Sequence, residues 1–275
     1  MEFLQTTLSS IALILAAMAA LSLLEALIPL RARGAWNRAH LGPNLALTFI
    51  TFSTNAVFGS ALVLGLEWMQ PRELGLIAWL ALPPLAATVV VVLALDLAFY
   101  LLHVAMHHVP RWWRFHAVHH SDPALDVTTT VRQHPGESLL RFVAIAAFAL
   151  PLGASPAAFA LYRVLAAVSG LLEHANFRLP LRLEAALAWV VPWPTMHKLH
   201  HSRDARFTDS NYSNIVSIWD RMFGTFTHPS EGRNVAYGLD GFDTPAAQTT
   251  AALLARPFRS SRDSGVHALS ASHIT

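Results

Sequence analysis

The chain has 275 residues, 54% of them hydrophobic and 13% charged, with a mean hydropathy of +0.42 and a formal net charge of +2. An ordinary soluble domain carries about 25% charged residues, so this balance excludes a typical water-soluble globular protein. The absence of cysteine excludes disulfides, thiolate metal sites, iron–sulfur clusters and cysteine nucleophiles, and no basic run supports binding to nucleic acid.

Residues 3–24 carry no charge and, at about 1.5 Å per residue, are long enough to cross about 30 Å of hydrocarbon. Glu2 precedes this run and no basic residue does, which favours a retained helix over a signal peptide. Residues 41–66 form a second uncharged run. Its Asn44, Thr48, Thr51, Ser53, Thr54 and Asn55 are expected to face other helices. A third run begins near Leu74. Pro83-Pro84 marks the start of its main helix, since proline fits a first turn, and the helix is expected to continue to about His108. That is about 37 Å of helix, so its last two turns should stand clear of the hydrocarbon. A fourth apolar stretch, 138–172, is broken by Pro151, Gly153 and Pro156 and reads as a helical hairpin that either crosses or dips into the bilayer.

Arg31, Arg33 and Arg38 follow the first run, and Arg111 and Arg114 follow the third. By the positive-inside rule these ends are cytoplasmic and the N-terminus lies on the opposite side. Trp112, Trp113, Trp189 and Trp193 would lie near the same membrane surface as an aromatic belt. The expected fold is all-α: three long membrane helices plus a short hairpin, with a cytoplasmic helical cap. Three regions follow: membrane helices at 1–102, a histidine-rich region at 103–255 that includes the hairpin, and a disordered Ser- and Arg-rich tail at 256–275.

Fifteen histidines are present, and most fall in three groups: His103-x-x-x-His107, His116-x-x-His119-His120 and His197-x-x-His200-His201. Two copies of HxxHH are far more than this composition yields by chance. On a helix, positions i, i+3 and i+4 share a face, so each group should point its imidazoles one way. Asp96 lies on the stripe of His103 and His107, two turns deeper. Converging neutral imidazoles hold transition metal, and eight are too many for one ion, so two adjacent metals are expected. His174 is a further candidate ligand where the hairpin returns, and His134 an uncertain one. His108 is expected on the surface, and His40, His228, His267 and His273 are background.

The order HxxxH, HxxHH, HxxHH resembles the fatty acid hydroxylase/sterol desaturase superfamily. Asp96-Leu-Ala-Phe-Tyr100, Trp113-Arg-Phe-His-Ala-Val-His-His-Ser121, Arg132 to Glu137, His174 to Pro180, Asn211-Tyr212 and Trp219 to Thr225 are similar to its landmarks, over about residues 90–226. Val104 departs from it, since members commonly carry arginine there. The resemblance implies a non-haem centre of two iron ions, with zinc as a possible surrogate. O2 would be the co-substrate, and a lipid such as a sterol or fatty acyl chain would be hydroxylated or desaturated. It implies His103, His107, His116, His119, His120, His197, His200 and His201 as ligands, with His174 as a ninth and His134 as a tenth.

Asp96, Glu137, Glu173 and Asp220 are candidates to orient ligand rings from outside. No glycine-rich nucleotide motif is present, so electrons are expected from a separate protein of ferredoxin, cytochrome b5 or reductase type. Oligomeric state is open. The alternative is a multi-pass metal transporter or metal-binding membrane protein. Transport would call for ionisable residues along a membrane pathway, and the first two apolar runs have none.

Overall fold

In the computed structural model, residues 2–32, 39–228, 230 and 234–259 are described. The apolar runs become helices because a helix satisfies every backbone polar group internally where no water is available. They are α1 (Glu2–Leu27), α2 (Leu41–Met69), α3 (Pro84–His108), α5 (Pro135–Leu152) and α6 (Pro156–His174). Between α3 and α5 lies α4 (Pro110–His120), and shorter helices follow α6: α7 (Leu181–Leu187), α8 (Pro194–His200), α9 (Ile218–Met222) and α10 (Thr250–Ala255). Among the described residues no β-strand forms, only two isolated bridges, Pro29 with Phe177 and Ser202 with Tyr237.

Among the described residues, four helices are long and apolar enough to cross a membrane: α2 with its continuation to Trp79, then α3, α5 and α6. The described apolar part of α1 is the shorter Ile11–Leu27. Leu62, Leu66, Val91, Leu95, Ile145, Ala149 and Phe159 form a core shared by α2, α3, α5 and α6. Large apolar side chains also point outward, with Phe49 at 74% and Leu85 at 78% exposure. Water would penalise such a surface, whereas lipid does not.

Chain breaks fall at residues with a local reason to break. Pro83 caps α3 in an extended conformation and Pro84 opens it, as the proline pair predicts. The hairpin bends at 153–155: Gly153 closes α5 with φ +67°, and the Ser155 side chain accepts from Ala158 N to cap α6. Pro151 lies inside the last turn of α5 rather than at the bend. The arms are each about 27 Å long, close to the hydrocarbon thickness.

At this tip Gly75, with φ +108°, packs backbone to backbone against Gly153: a Cβ on Gly75 would overlap the main chain of Gly153, and a Cβ on Gly153 would overlap the carbonyl of Leu74. Gly153→Ala is therefore expected to destabilise the protein by about 1–3 kcal/mol, from overlap and left-handed backbone together. Thermal unfolding in detergent would register this, and an unchanged midpoint would refute the contact.

The expected disordered tail is corrected at its start. Arg256–Phe258 form a turn of 3-10 helix, and Phe258 packs on Phe115 and His134. Residues 260–275, the remainder of that tail, lie outside the described residues, as do Arg33 and Arg38.

Candidate metal centre

Four helix ends meet at one end of the bundle. Pro110 disfavours helical backbone at Val109, which sits at φ −96°, ψ 110°. The chain therefore turns between α3 and α4, and His103 and His116 face each other, their Nε2 atoms 3.1 Å apart. His174 is the last residue of α6. Pro194 opens α8, which carries His197 and His200 and is closed by His201. All nine imidazoles are buried, none more than 4% exposed.

The nine sort into two adjacent sets. His103, His107, His116, His120 and His200 form one, and His119, His174, His197 and His201 the other, with ligand atoms in each set within 4.8 Å of one another. The HxxHH groups do not each serve one set. The first gives its outer pair (His116, His120) to the five-membered set and His119 to the other, while the second does the reverse. The rings of His120 and His201 stack between the sets, centroids 4.2 Å apart.

Proton placement tests whether metal fits. Nδ1 of His103, His174 and His200 lies 2.8, 2.7 and 2.8 Å from the carbonyl oxygens of Tyr212, Gly170 and Ser210. A carbonyl only accepts, so these Nδ1 atoms carry the proton and each Nε2 presents a bare lone pair. Nδ1 of His116 faces Glu137 Oε2 at 3.2 Å, and Nδ1 of His197 faces Glu173 Oε2 at 3.3 Å, which favours the same tautomer. Bare Nε2 atoms then meet at 3.1 Å between His103 and His116 and between His174 and His197. Lone pairs at that distance repel unless a cation lies between them. Nitrogens held about 2.1 Å from one ion at right angles stand about 3.0 Å apart, so the donor set fits metal.

Charge points the same way. Burial, followed by neighbouring histidines, holds His116, His119, His120, His197 and His201 well below the usual imidazole range, and burial lowers His200 to about 3. At neutral pH these rings are unprotonated, the form that binds metal.

A model of the fatty acid hydroxylase family matches residues 88–225, half of the chain. The chain belongs to that family. It is 32% identical to an alkylglycerol monooxygenase of Xenopus tropicalis over 54% of this chain and 31% of that protein. It is 32% identical to an ornithine lipid hydroxylase of Rhizobium tropici over 64% and 51%. A very-long-chain aldehyde decarbonylase of Arabidopsis thaliana is 29% identical over 50% and 22%. The chain thus spans about a third to a half of the first relatives it matches. No solved structure matches it significantly.

Within this family member the four candidate carboxylates divide. Glu137 and Glu173 face ligand rings, and Glu137 is also held by Arg141 at 2.7 Å. Among the described residues Asp96 and Asp220 hydrogen-bond no imidazole, which differs from their expected place beside the rings. Asp96 accepts from Ile215 N, Val216 N and Trp219 Nε1, and Asp220 accepts from Tyr212 N, Ser213 N and Thr225 Oγ1. Together they fix the segment whose Tyr212 carbonyl orients His103. Outer groups of this kind set ligand tautomer and basicity. Glu137→Gln or Glu173→Gln is therefore expected to weaken metal retention about 10–100-fold, measured by chelator competition on purified protein. Equal retention would deny both carboxylates that role.

His134 joins neither set. Its Nδ1 accepts from Gly136 N to cap α5, and its Nε2 lies 3.2 Å from Leu254 O, so both nitrogens are engaged elsewhere. His108 is exposed, as expected, and its Nδ1 lies 2.9 Å from Val104 O on its own helix. Trp113 departs from the expected belt: it is buried, packed on His107 and His120. Two contributions escaped the sequence. Asp209, 3.1 Å from His107 Nδ1, carries no histidine-like pattern to reveal it. His40, taken as background, is buried between Asp122 and Asp126 at 3.0 and 3.4 Å.

A cavity of about 600 Å³ opens from His103, His119, His174 and His197 and runs down between α1, α2, α3, α5 and α6. Ile14, Phe52, Val63, Ile145 and Phe159 make its wall mainly apolar. Its size suits a ligand of small-molecule scale.

Proposed function

We propose that this family member is a membrane-bound, O2-dependent oxidoreductase that hydroxylates or desaturates a lipid at a pair of iron ions held by the nine clustered histidines. One observation carries the reading. Two adjacent, buried, all-imidazole sets form the end wall of an apolar cavity enclosed by membrane-length helices. Iron bound there would supply the O2 activation needed to attack an unactivated C–H bond, chemistry that no amino-acid side chain performs.

The protein's own residues do the remaining work. His103, His107, His116, His120 and His200 would hold one ion, and His119, His174, His197 and His201 the other. Glu137, Glu173 and Asp209 orient rings from outside. Trp113 and the packing around the rings keep bulk water away from them, while the cavity admits an alkyl chain from the bilayer. Hydroxylase and monooxygenase relatives that act on lipids, by their names, support this chemistry. The arginine pattern supports a cytoplasmic site with the N-terminus opposite, and a separate electron-donor protein completes the reading.

Comparing lipid extracts of cells with and without the gene by mass spectrometry tests it. A lipid gaining one oxygen or losing two hydrogens, with about two irons per purified chain, is the expected result. Iron-loaded protein that alters no lipid would overturn the reading.

A further inference from the structure

An ionised side chain at membrane depth is costly and is kept only with a partner or a function. Most such groups here have partners. Asp96 is filled by two backbone amides and Trp219, Arg141 pairs with Glu137, and Glu173 faces His197. Arg163 on α6 differs. Among the described residues it forms no ion pair and no hydrogen bond, only a distant approach to the Phe159 ring at 5.9 Å. It lies seven residues into the helix from Pro156, about 10 Å from the hairpin tip, and so within the hydrocarbon. Its guanidinium reaches across to α2 and lies against Gly59, where a Cβ would displace it.

Arg163 lines the same cavity that ends at the histidines, together with Asn55, Ser60 and Glu67. Asn55, Gly59 and Val63 follow at four-residue spacing on one face of α2, so a strip of that face borders the guanidinium. Arg163 thus lies toward the end of a mainly apolar channel away from His174, whereas the other lining guanidinium, Arg141, is already paired with Glu137. An arginine fork offers several N–H donors in the geometry of a carboxylate or phosphate and cannot shed its charge.

Resting on the reading of this cavity as a lipid site, we propose that Arg163 binds the anionic group, carboxylate or phosphate, of the bound lipid and thereby fixes which part of the chain reaches the histidines. Eleven residues of α6 separate Arg163 from His174, about 16 Å of helix. At about 1.25 Å per carbon of an extended alkyl chain, that span corresponds to about 13 carbons between the charged group and the oxidised position. Gly59 belongs to the same device, since its missing side chain leaves room for the guanidinium.

Equilibrium binding to the purified full chain in neutral detergent tests this without turnover. The probes are labelled palmitic acid, its methyl ester, and a monoacyl glycerol phosphate. Wild-type protein is expected to bind the two anions about tenfold or more tighter than the ester. Arg163→Gln should lose that preference while ester binding stays within about twofold, and Arg163→Lys should retain part of it. Tighter binding of the acid assigns the site to free carboxylates, and tighter binding of the phosphate assigns it to a phospholipid headgroup. Ester binding equal to that of both anions in the wild type overturns the proposal even if the Gln variant fails to fold, as does an undiminished preference in that variant. A wild type that binds anions through Arg163 yet oxidises nothing would sink the oxygenase reading alone, and a wild type that oxidises lipid but shows no preference for the anions over the ester would sink only this one.

Discussion

Alanine at His200 is expected to remove metal from the five-membered set and abolish product formation, while alanine at His197, three residues earlier, should empty the other set. The two lie in one HxxHH group, yet their imidazoles go to different sets. Each single variant should therefore retain about one metal per chain where the proposed centre calls for about two in the wild type, and the double variant none. Product formation should fall by more than about a hundredfold in each, because loss of a ligand exceeds the 10–100-fold cost of losing a group that only orients one. Elemental analysis of purified protein, with lipid mass spectrometry, measures both effects. Retention of both metals in either variant would break the assignment, and simultaneous loss of both in each single variant would show one indivisible cluster instead.

Asp122→Ala should give the largest loss of stability, about 3–5 kcal/mol, because it strands buried positive charge. Asp122 contacts His40 at 3.0 Å and accepts from Asn44 Nδ2 at 2.8 Å and Thr129 Oγ1 at 2.7 Å. Beside it Arg132, fully buried, donates to Val118 O, Asn44 Oδ1, Ser121 Oγ and Gln248 Oε1. Burial alone would push the Asp122 carboxyl up, but its bond to His40 and the Arg132 charge hold it well below the usual carboxylate range. Burial likewise pulls His40 down, but bonds to Asp122 and then Asp126 outweigh it and raise the imidazole to about 9.

The sign of the pH dependence follows. A raised histidine contributes stability that is complete below its unfolded value near 6.5 and is lost as pH rises through about 9. Unfolding midpoints should therefore fall between about pH 6.5 and 9 in the wild type, and His40→Gln should flatten that decline. Parallel curves for the two proteins would mean that His40 is neutral in the folded state.

Much of the frame is legible in the order of residues. Apolar runs long enough for a membrane state their own helices, since in lipid nothing else satisfies the backbone. Pro83-Pro84 and the Gly153–Pro156 break announce helix boundaries through backbone sterics that need no distant partner. HxxxH and HxxHH announce metal because three- and four-residue spacing stacks side chains on one face. Local spacing reveals only local geometry, however. Asp96 and Asp220 look like orienting carboxylates on that basis, yet among the described residues they hold the 211–225 segment and hydrogen-bond no imidazole. His134 stands in a promising hexapeptide and caps a helix. His40 and Asp209 have no pattern around them, because their partners lie 82 and 102 positions away in the chain.

By itself, then, the sequence determined the membrane helices, their breaks and the residues that could hold metal, all properties carried by near neighbours along the chain. Only the tertiary structure decided how nine imidazoles divide into five and four, which carboxylates reach them, and that Arg163 shares their cavity. Those outcomes depend on where α3, α4, α6 and α8 end relative to one another. Helix packing fixes that relation, and no periodicity within a single helix encodes it.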